Sequence, residues 1–356
     1  MKRNIYLKTI PPAEAVARVK ASIDREALIR EETIPSHEAS GRVLAHAVHA
    51  RYSSPTFHSA AMDGYAVNAR STFAAREGHP LTLKAGETCF AVNTGHPMPE
   101  GCDAVIMIEQ VVLDGGSVTI EAPAFPWQHV RRIGEDIVAT ELLFPRNHQL
   151  RPWDVGALLS GGIWDVPVWE RVTVRIIPTG DEVLDFTTHP DPGKGQVVES
   201  NSQMLAALAR ELGCVVERAA PVPDNPEALH QALKDSLDAG RHLTIFCAGS
   251  SAGSKDFTRA TLEKEGEILT HGIAAMPGKP SLLANCRGRL VAGAPGYPVS
   301  ALVCFKELLE PLISWLSHRE PPAKTVVPVE LTRTVPSRPG VEEHVRVSIG
   351  RVGDKL

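Results

Sequence analysis

Acidic residues in this chain fall repeatedly where apolar runs end. A β-branched run from Val172 to Ile177 stops at Pro178-Thr179-Gly180 and is followed at once by Asp181 and Glu182. Similar transitions occur at Val222-Pro223-Asp224-Asn225, from Cys247 to Asp256, and at Gly293-Ala294-Pro295-Gly296-Tyr297-Pro298. Buried parallel strands deliver polar groups to the carboxyl edge of an open sheet, where such sheets hold ligands. The four transitions therefore read as lips of one cleft. Carboxylates gathered there suit a hard cation such as Mg2+, which takes oxygen ligands and bridges to phosphate. Asp224 and Asp256 also precede helical patterns, where aspartate commonly caps the first turn. Spacing leaves both uses open.

Other residues at these loops suit an anion. Ala248 to Ser254, with Ser251 at its centre, is small and hydroxyl-rich before a helix, so backbone N–H groups and a helix N-terminus can approach a negative ligand. It is neither a Walker A loop nor a dinucleotide fingerprint. In Pro277-Gly278-Lys279-Pro280 the lysine lies between residues of fixed φ that would aim its ammonium. An exposed turn lysine reads the same way. Ser300 has no evident His and acid partner, so a hydrolase triad is not indicated.

The elements that must position these residues follow from periodicity. Pro11 to Arg30 reads as an amphipathic helix with Val16, Val19 and Ile23 on one face. A short strand is expected around Arg42 to Val48, and the tract to about Val130 is short strands and Gly/Pro turns. Trp153 to Ser160 reads as a helix ending at Gly161-Gly162. Strands and helices then alternate from Arg171 to Leu316. The helices are Ser202–Leu212, Pro226–Asp238 (with Asn225 as N-cap and Pro226 at the first position), Asp256–Lys264 and Val299–Leu316; His242–Cys247 is a buried strand. Such alternation predicts a mainly parallel, doubly wound sheet. Pro321-Pro322 marks a hinge, and Thr325 to Leu356 is β-rich.

Composition sets outer bounds. At 356 residues, two to four domains are expected. The longest apolar run falls short of the ~20 residues of a membrane span, and Met1-Lys2-Arg3-Asn4 leads into no apolar signal region. A net charge of -5 without a basic block argues against nucleic-acid binding. Six scattered cysteines show no metal spacing, so reduced thiols and a cytoplasmic setting are expected.

Taken together and in order, the motifs resemble those of the MoeA family, also seen as the gephyrin E domain. They are Ala60-Ala61-Met62-Asp63-Gly64-Tyr65-Ala66, Thr94-Gly95-His96-Pro97-Met98-Pro99-Glu100-Gly101, Arg131-Arg132-Ile133-Gly134-Glu135-Asp136, Thr179-Gly180-Asp181-Glu182, Asp224-Asn225, the Ala248–Asp256 loop, Pro277-Gly278-Lys279-Pro280 and Pro295-Gly296-Tyr297-Pro298-Val299-Ser300. The resemblance implies a multidomain α/β plus β architecture. Residues 1–55 and 132–170 would form a discontinuous helical linker domain, 56–131 an inserted β-rich domain, 171–320 a doubly wound molybdopterin-binding α/β domain, and 321–356 a partial C-terminal β-barrel domain. It implies a homodimer whose cleft is shared between the α/β domain of one subunit and the β-rich domain of its partner. Molybdopterin adenylyltransferase would be an upstream partner.

The implied activity is that of a molybdopterin molybdenumtransferase, which inserts molybdate into adenylylated molybdopterin and releases AMP with Mg2+ assisting. Asp63, Asp136, Glu182, Asp224 and Asp256 match its catalytic positions, with Glu182, Asp224 and Asp256 as metal ligands. Thr94, Thr179, Gly180, Ser251, Lys279, Pro295 and Pro298 fall at substrate-binding ones. The alternative is a MoeA-like protein that binds molybdopterin without efficient turnover. It is favoured by two departures from the pattern: Gly272 and Met276 stand where lysines are usual, and the Ala248–Gly253 loop lacks the family's first glycine and first valine; Ala60 for a serine and Tyr297 for an asparagine also depart from it.

Overall fold

The computed structural model describes residues 8–247 and 257–351. The chain divides into two compact units, one of Met1–Glu32 with Val168–Leu356 and one of Thr33–Pro167. Each is described by itself.

The first unit is built on six strands. They are β1 (Thr173–Pro178), β2 (Val215–Arg218), β3 (Leu243–Cys247), β4 (Gly266–His271), β5 (Leu282–Cys286) and β6 (Arg289–Ala294), in the spatial order β2-β1-β3-β6-β5-β4. β2, β1, β3 and β6 pair in parallel, and β5 runs against both its neighbours. Every residue of β3 is buried, which is why its sequence is continuously apolar or small instead of alternating.

Helices α1 (Asn201–Glu211), α2 (Pro226–Asp238), α3 (Phe257–Glu265) and α4 (Pro298–Cys304) follow the strands. Asn225 caps α2 as its spacing predicts, its Oδ1 accepting from the N–H groups of Glu227 at 2.9 Å and Ala228 at 3.0 Å. α2 and α3 cover one face of the sheet in a cluster with Ile177, Phe246, Leu282 and Val291. α1 lies on β1 and β2 and packs against α4, which right-handed crossovers place on the opposite face. This is the doubly wound arrangement that the alternation predicts.

Four local expectations shift. The helix from Pro11 to Arg30 is two pieces, Pro12–Ser22 and Arg25–Leu28, because Asp24 accepts from the Ala27 N–H and starts a new turn. The strand expected at Arg42 to Val48 contracts to Val48–His49 with a single bridge at Val43. The last long helix passes through a π-helical turn, Phe305–Leu309, before continuing as Glu310–Leu316. The β-rich tail forms, among its described residues, one two-residue strand, Glu342–Glu343. Val326, Leu331, Val345, Val347 and Ile349 stay exposed, since β-propensity yields a strand only where a neighbour takes up its backbone groups.

The second unit is mostly short antiparallel strands. Gly64–Val67 lies between Cys89–Val92 and Ala104–Met107, and Ser117–Ile120 lies between Leu81–Lys84 and Val111–Asp114. Val67, Leu83, Ile106, Val118 and Ile120 form their common core. A helix, Pro152–Ser160, follows and ends at Gly161.

Candidate functional site

In the first unit the sheet register decides what can meet. Pro178, Cys247 and Ala294 lie side by side at the ends of β1, β3 and β6. The loops that begin at Thr179 and at Pro295 thus leave the sheet at one level, on either side of the end of β3. The spatial order reverses between β1 and β3, and the carboxyl ends of the strands at such a point are where open α/β sheets hold ligands. Leu282, the first residue of β5, pairs with Gly293, so the turn carrying Lys279 opens at this same edge.

Thr179 is buried and stitches the edge together. Its N–H donates to the Cys247 carbonyl at 2.9 Å and its Oγ1 to the same oxygen at 3.2 Å. Gly180 adopts φ +138°, where a Cβ would lie 2.7 Å from Val183 Cγ2 and 3.2 Å from Glu182 Cδ. Only glycine lets the backbone turn here without displacing the Glu182 side chain. Glu182 itself is exposed. Burial pushes the Cys247 thiol well above its ordinary range, so the cysteine at this edge is no thiolate nucleophile.

Three ties that the motif reading leaves out hold the lips in place. Asp181 Oδ1 accepts from the Asp224 N–H at 3.0 Å, joining the loops after β1 and β2. Asn201, the first residue of α1, donates from Nδ2 to the Gly296 carbonyl at 2.7 Å, anchoring the Pro295–Pro298 loop. Arg218, at the end of β2, donates to Ser202 Oγ at 2.9 Å and Asp185 Oδ1 at 3.1 Å, and lies 3.4 Å from Glu199 Oε2. Glu199 in turn accepts from the Ser202 N–H at 2.7 Å at the start of α1. A carboxylate two residues before a helix is a legible cap signal; its arginine partner, distant in sequence, is not.

The remaining expected site residues of this unit divide. Pro295 is buried, while Pro298 is exposed at the first position of α4. Lys279 is exposed, and its carbonyl accepts from the Ile273 N–H at 2.9 Å. Gly272 sits at φ +106°, a conformation that a lysine side chain would strain. Asp256 and Ser251 lie outside the described residues. Among the described residues no group of three His, Cys, Asp or Glu side chains is arranged to hold a metal ion. Glu182 and Asp224 nevertheless offer the all-oxygen donor chemistry that Mg2+ takes.

In the second unit Asp63 and Thr94 come together directly. Asp63 Oδ1 accepts from the Thr94 N–H at 2.7 Å and from Thr94 Oγ1 at 3.0 Å. The backbone and side-chain hydrogen bonds from Thr94 hold the carboxyl below the ordinary aspartate range. The glycine after Asp63 is required by crowding, since a Cβ on Gly64 would lie 2.0 Å from the Ile106 carbonyl oxygen. Asp136 is held differently: Arg131 donates to its Oδ2, and its own N–H donates to the Ser54 carbonyl at 3.0 Å. Ser59–Ala60 pairs with Val130–Arg131, so Asp63 and Asp136 follow neighbouring segments.

Comparison with known proteins bears on this arrangement. Residues 10–162 match the profile of the MoeA N-terminal region, domains I and II, and residues 175–315 that of a probable molybdopterin binding domain. A molybdopterin molybdenumtransferase of Haemophilus influenzae is 34% identical over 309 residues, which are 81% of this chain and 74% of the relative. The chain belongs to the MoeA family. A second relative, molybdopterin molybdenumtransferase 2 of Mycobacterium tuberculosis, is also 34% identical, over 79% of the chain and 74% of its own length. The crystal structure of a MoeA protein of Pyrococcus horikoshii superposes with a TM-score of 0.76 at 26% identity, covering 94% of this chain and 86% of that one. The MoeA fold is therefore multidomain α/β here too, as the order of motifs implied. Among the described residues no helix is long and apolar enough to cross a membrane.

Proposed function

We propose that this MoeA-family chain is a molybdopterin molybdenumtransferase, inserting molybdate into adenylylated molybdopterin and releasing AMP. Relatives at 34% identity carry that name, and the molybdopterin-binding profile falls on the α/β unit. The observation that carries the reading is the register of the sheet, which opens the loops bearing Thr179, Gly180, Glu182, Asp224, Lys279 and Pro295 at one edge.

The chemistry asked of that edge is breakage of a phosphorus–oxygen bond, with AMP leaving, and transfer of an oxyanion to the dithiolene. Both ends carry negative charge, so groups that concentrate positive potential favour it. Lys279 would pair with phosphate, and Gly180 leaves room for Glu182 at the turn. Glu182 and Asp224, with Asp256, would hold a Mg2+ ion, whose chemistry when bound is to offset charge on the phosphate oxygens. Asp63 from the β-rich domain and Asp136 from the linker domain would serve from a second copy in a homodimer, with Thr94 fixing Asp63. The partition into linker (1–55 and 132–170), β-rich (56–131), α/β (171–320) and C-terminal β (321–356) domains, a cytoplasmic setting and supply by molybdopterin adenylyltransferase belong to the same proposal.

The test is AMP release from adenylylated molybdopterin on addition of molybdate, with and without Mg2+. Release that requires both is expected. Tight binding without release at any Mg2+ concentration would leave the second reading, a molybdopterin-binding protein, which Gly272 and Met276 at positions usual for lysine favour.

A further inference from the structure

The turn that holds Asp63 through Thr94 brings a second side chain to that carboxylate. Residues 93–96 close tightly: the His96 N–H donates to the Asn93 carbonyl at 2.9 Å, and Gly95 takes φ +85°. The turn is docked on the strand just before Asp63. The Gly95 N–H donates to the Ala60 carbonyl at 2.8 Å, and the Ala60 N–H to the His96 carbonyl at 2.9 Å. The imidazole is held separately, since its Nδ1 accepts from the Asn93 N–H at 3.3 Å.

That last bond fixes the tautomer. A neutral imidazole carries one N–H, so with Nδ1 accepting, the proton sits on Nε2. Among the described residues nothing accepts from that Nε2–H, and His96 is exposed, as are Asp63 and Thr94. The ring stands close to Asp63. After the two hydrogen bonds from Thr94, the charge that His96 can carry is a further cause holding the Asp63 carboxyl low. One turn therefore presents a fixed carboxylate and an unspent donor side by side. An ionised carboxylate repels a substrate oxyanion, and a preorganised donor beside it offsets that repulsion.

We propose that His96 is a further substrate-binding residue, its Nε2–H donating to an oxygen of the tetrahedral oxyanion that meets Asp63. Two sources share that chemistry, the phosphate of adenylylated molybdopterin and molybdate itself. The proposal rests on the reading of Asp63 as part of the cleft for these substrates.

Steady-state AMP release by the full chain, titrated with each substrate in turn, tests it. His96→Ala should lower kcat/KM about tenfold or more, the loss expected for a hydrogen bond to a charged group. The substrate whose KM rises identifies the source of the oxyanion. Two further variants separate binding from support of the turn. The amide nitrogen of His96→Gln stands where Nε2–H does, whereas the amide oxygen of His96→Asn stands where Nδ1 does and keeps the bond from Asn93. His96→Gln should retain most of the parent kcat/KM, and His96→Asn should be as impaired as His96→Ala with an unchanged melting curve. If His96→Asn keeps activity, or His96→Gln loses as much as His96→Ala, the ring serves the turn alone and the proposal is overturned. Full activity of all three variants overturns it too, and in each of these cases an active parent leaves the functional reading standing. A parent chain that releases no AMP removes that reading and this inference with it.

Discussion

Asp154 shows how fully a buried carboxylate must be satisfied to stay charged. Its side chain is 3% exposed. Burial by itself would raise its pKa, but hydrogen bonds from the Arg151 side chain and N–H, and from His148 Nε2 at 2.7 Å, outweigh that and hold it at about 2. Because the folded pKa is depressed, its contribution to stability is present above the unfolded value near 4 and is lost as pH falls toward 2. That contribution is about 2 kcal/mol. Chemical denaturation of Asp154→Asn against the parent should show this difference at pH 7 and little of it at pH 2. Glu182, by contrast, is exposed and contributes little to the fold. Glu182→Gln should lower turnover by about a hundredfold if it binds a catalytic cation, with the thermal midpoint unchanged; steady-state AMP release against a melting curve separates the two. The sequence exposed the acid at position 182 because it follows a strand. That Asp181, its neighbour, is turned to the Asp224 N–H was not readable, since side-chain direction in a loop depends on the other loop.

Turns and strands carry the predictions of the next scale. In Thr179-Gly180-Asp181-Glu182, Gly180→Ala would put a methyl 2.7 Å from Val183 Cγ2 and 3.2 Å from Glu182 Cδ at a φ costly to L residues. A loss of about 1–3 kcal/mol is expected in urea titration, together with reduced AMP release because Glu182 must move. Gly64→Ala is more severe, since the clash is with the backbone oxygen of Ile106 at 2.0 Å in the adjacent strand. Overpacking against a fixed carbonyl should cost about 3 kcal/mol or more, read as loss of cooperative melting of the second unit. Replacing Asn201 by Ala removes the tie between α1 and Gly296. Substrate affinity should fall more than stability, seen as a raised KM beside a small shift in melting temperature. Helices and buried strands were legible because their periodicity and caps are local, as at Asn225 and Pro226. The π turn at Phe305 and the sparse tail were not, because each depends on what a segment packs against or pairs with; the break at Asp24 is a local cap that the continuing apolar period masked.

For the whole molecule, the MoeA resemblance implies two copies sharing a cleft. Light scattering on the purified chain should give twice the chain mass if so, and dilution that separates the copies should abolish AMP release. Asp63→Ala and Glu182→Gln chains, each strongly impaired by itself, should recover part of the activity when mixed, because one of the two shared clefts would then be intact. Sequence by itself determined the alternation of strands and helices, the acidic ends of the strands and the family, because these reside in residue types at fixed short spacings. Only the tertiary structure decided which loops open at one edge and that Arg218 and Asn201 hold them. Strand register and hydrogen bonds between segments tens of residues apart arise when the chain closes on itself, and no local pattern encodes them.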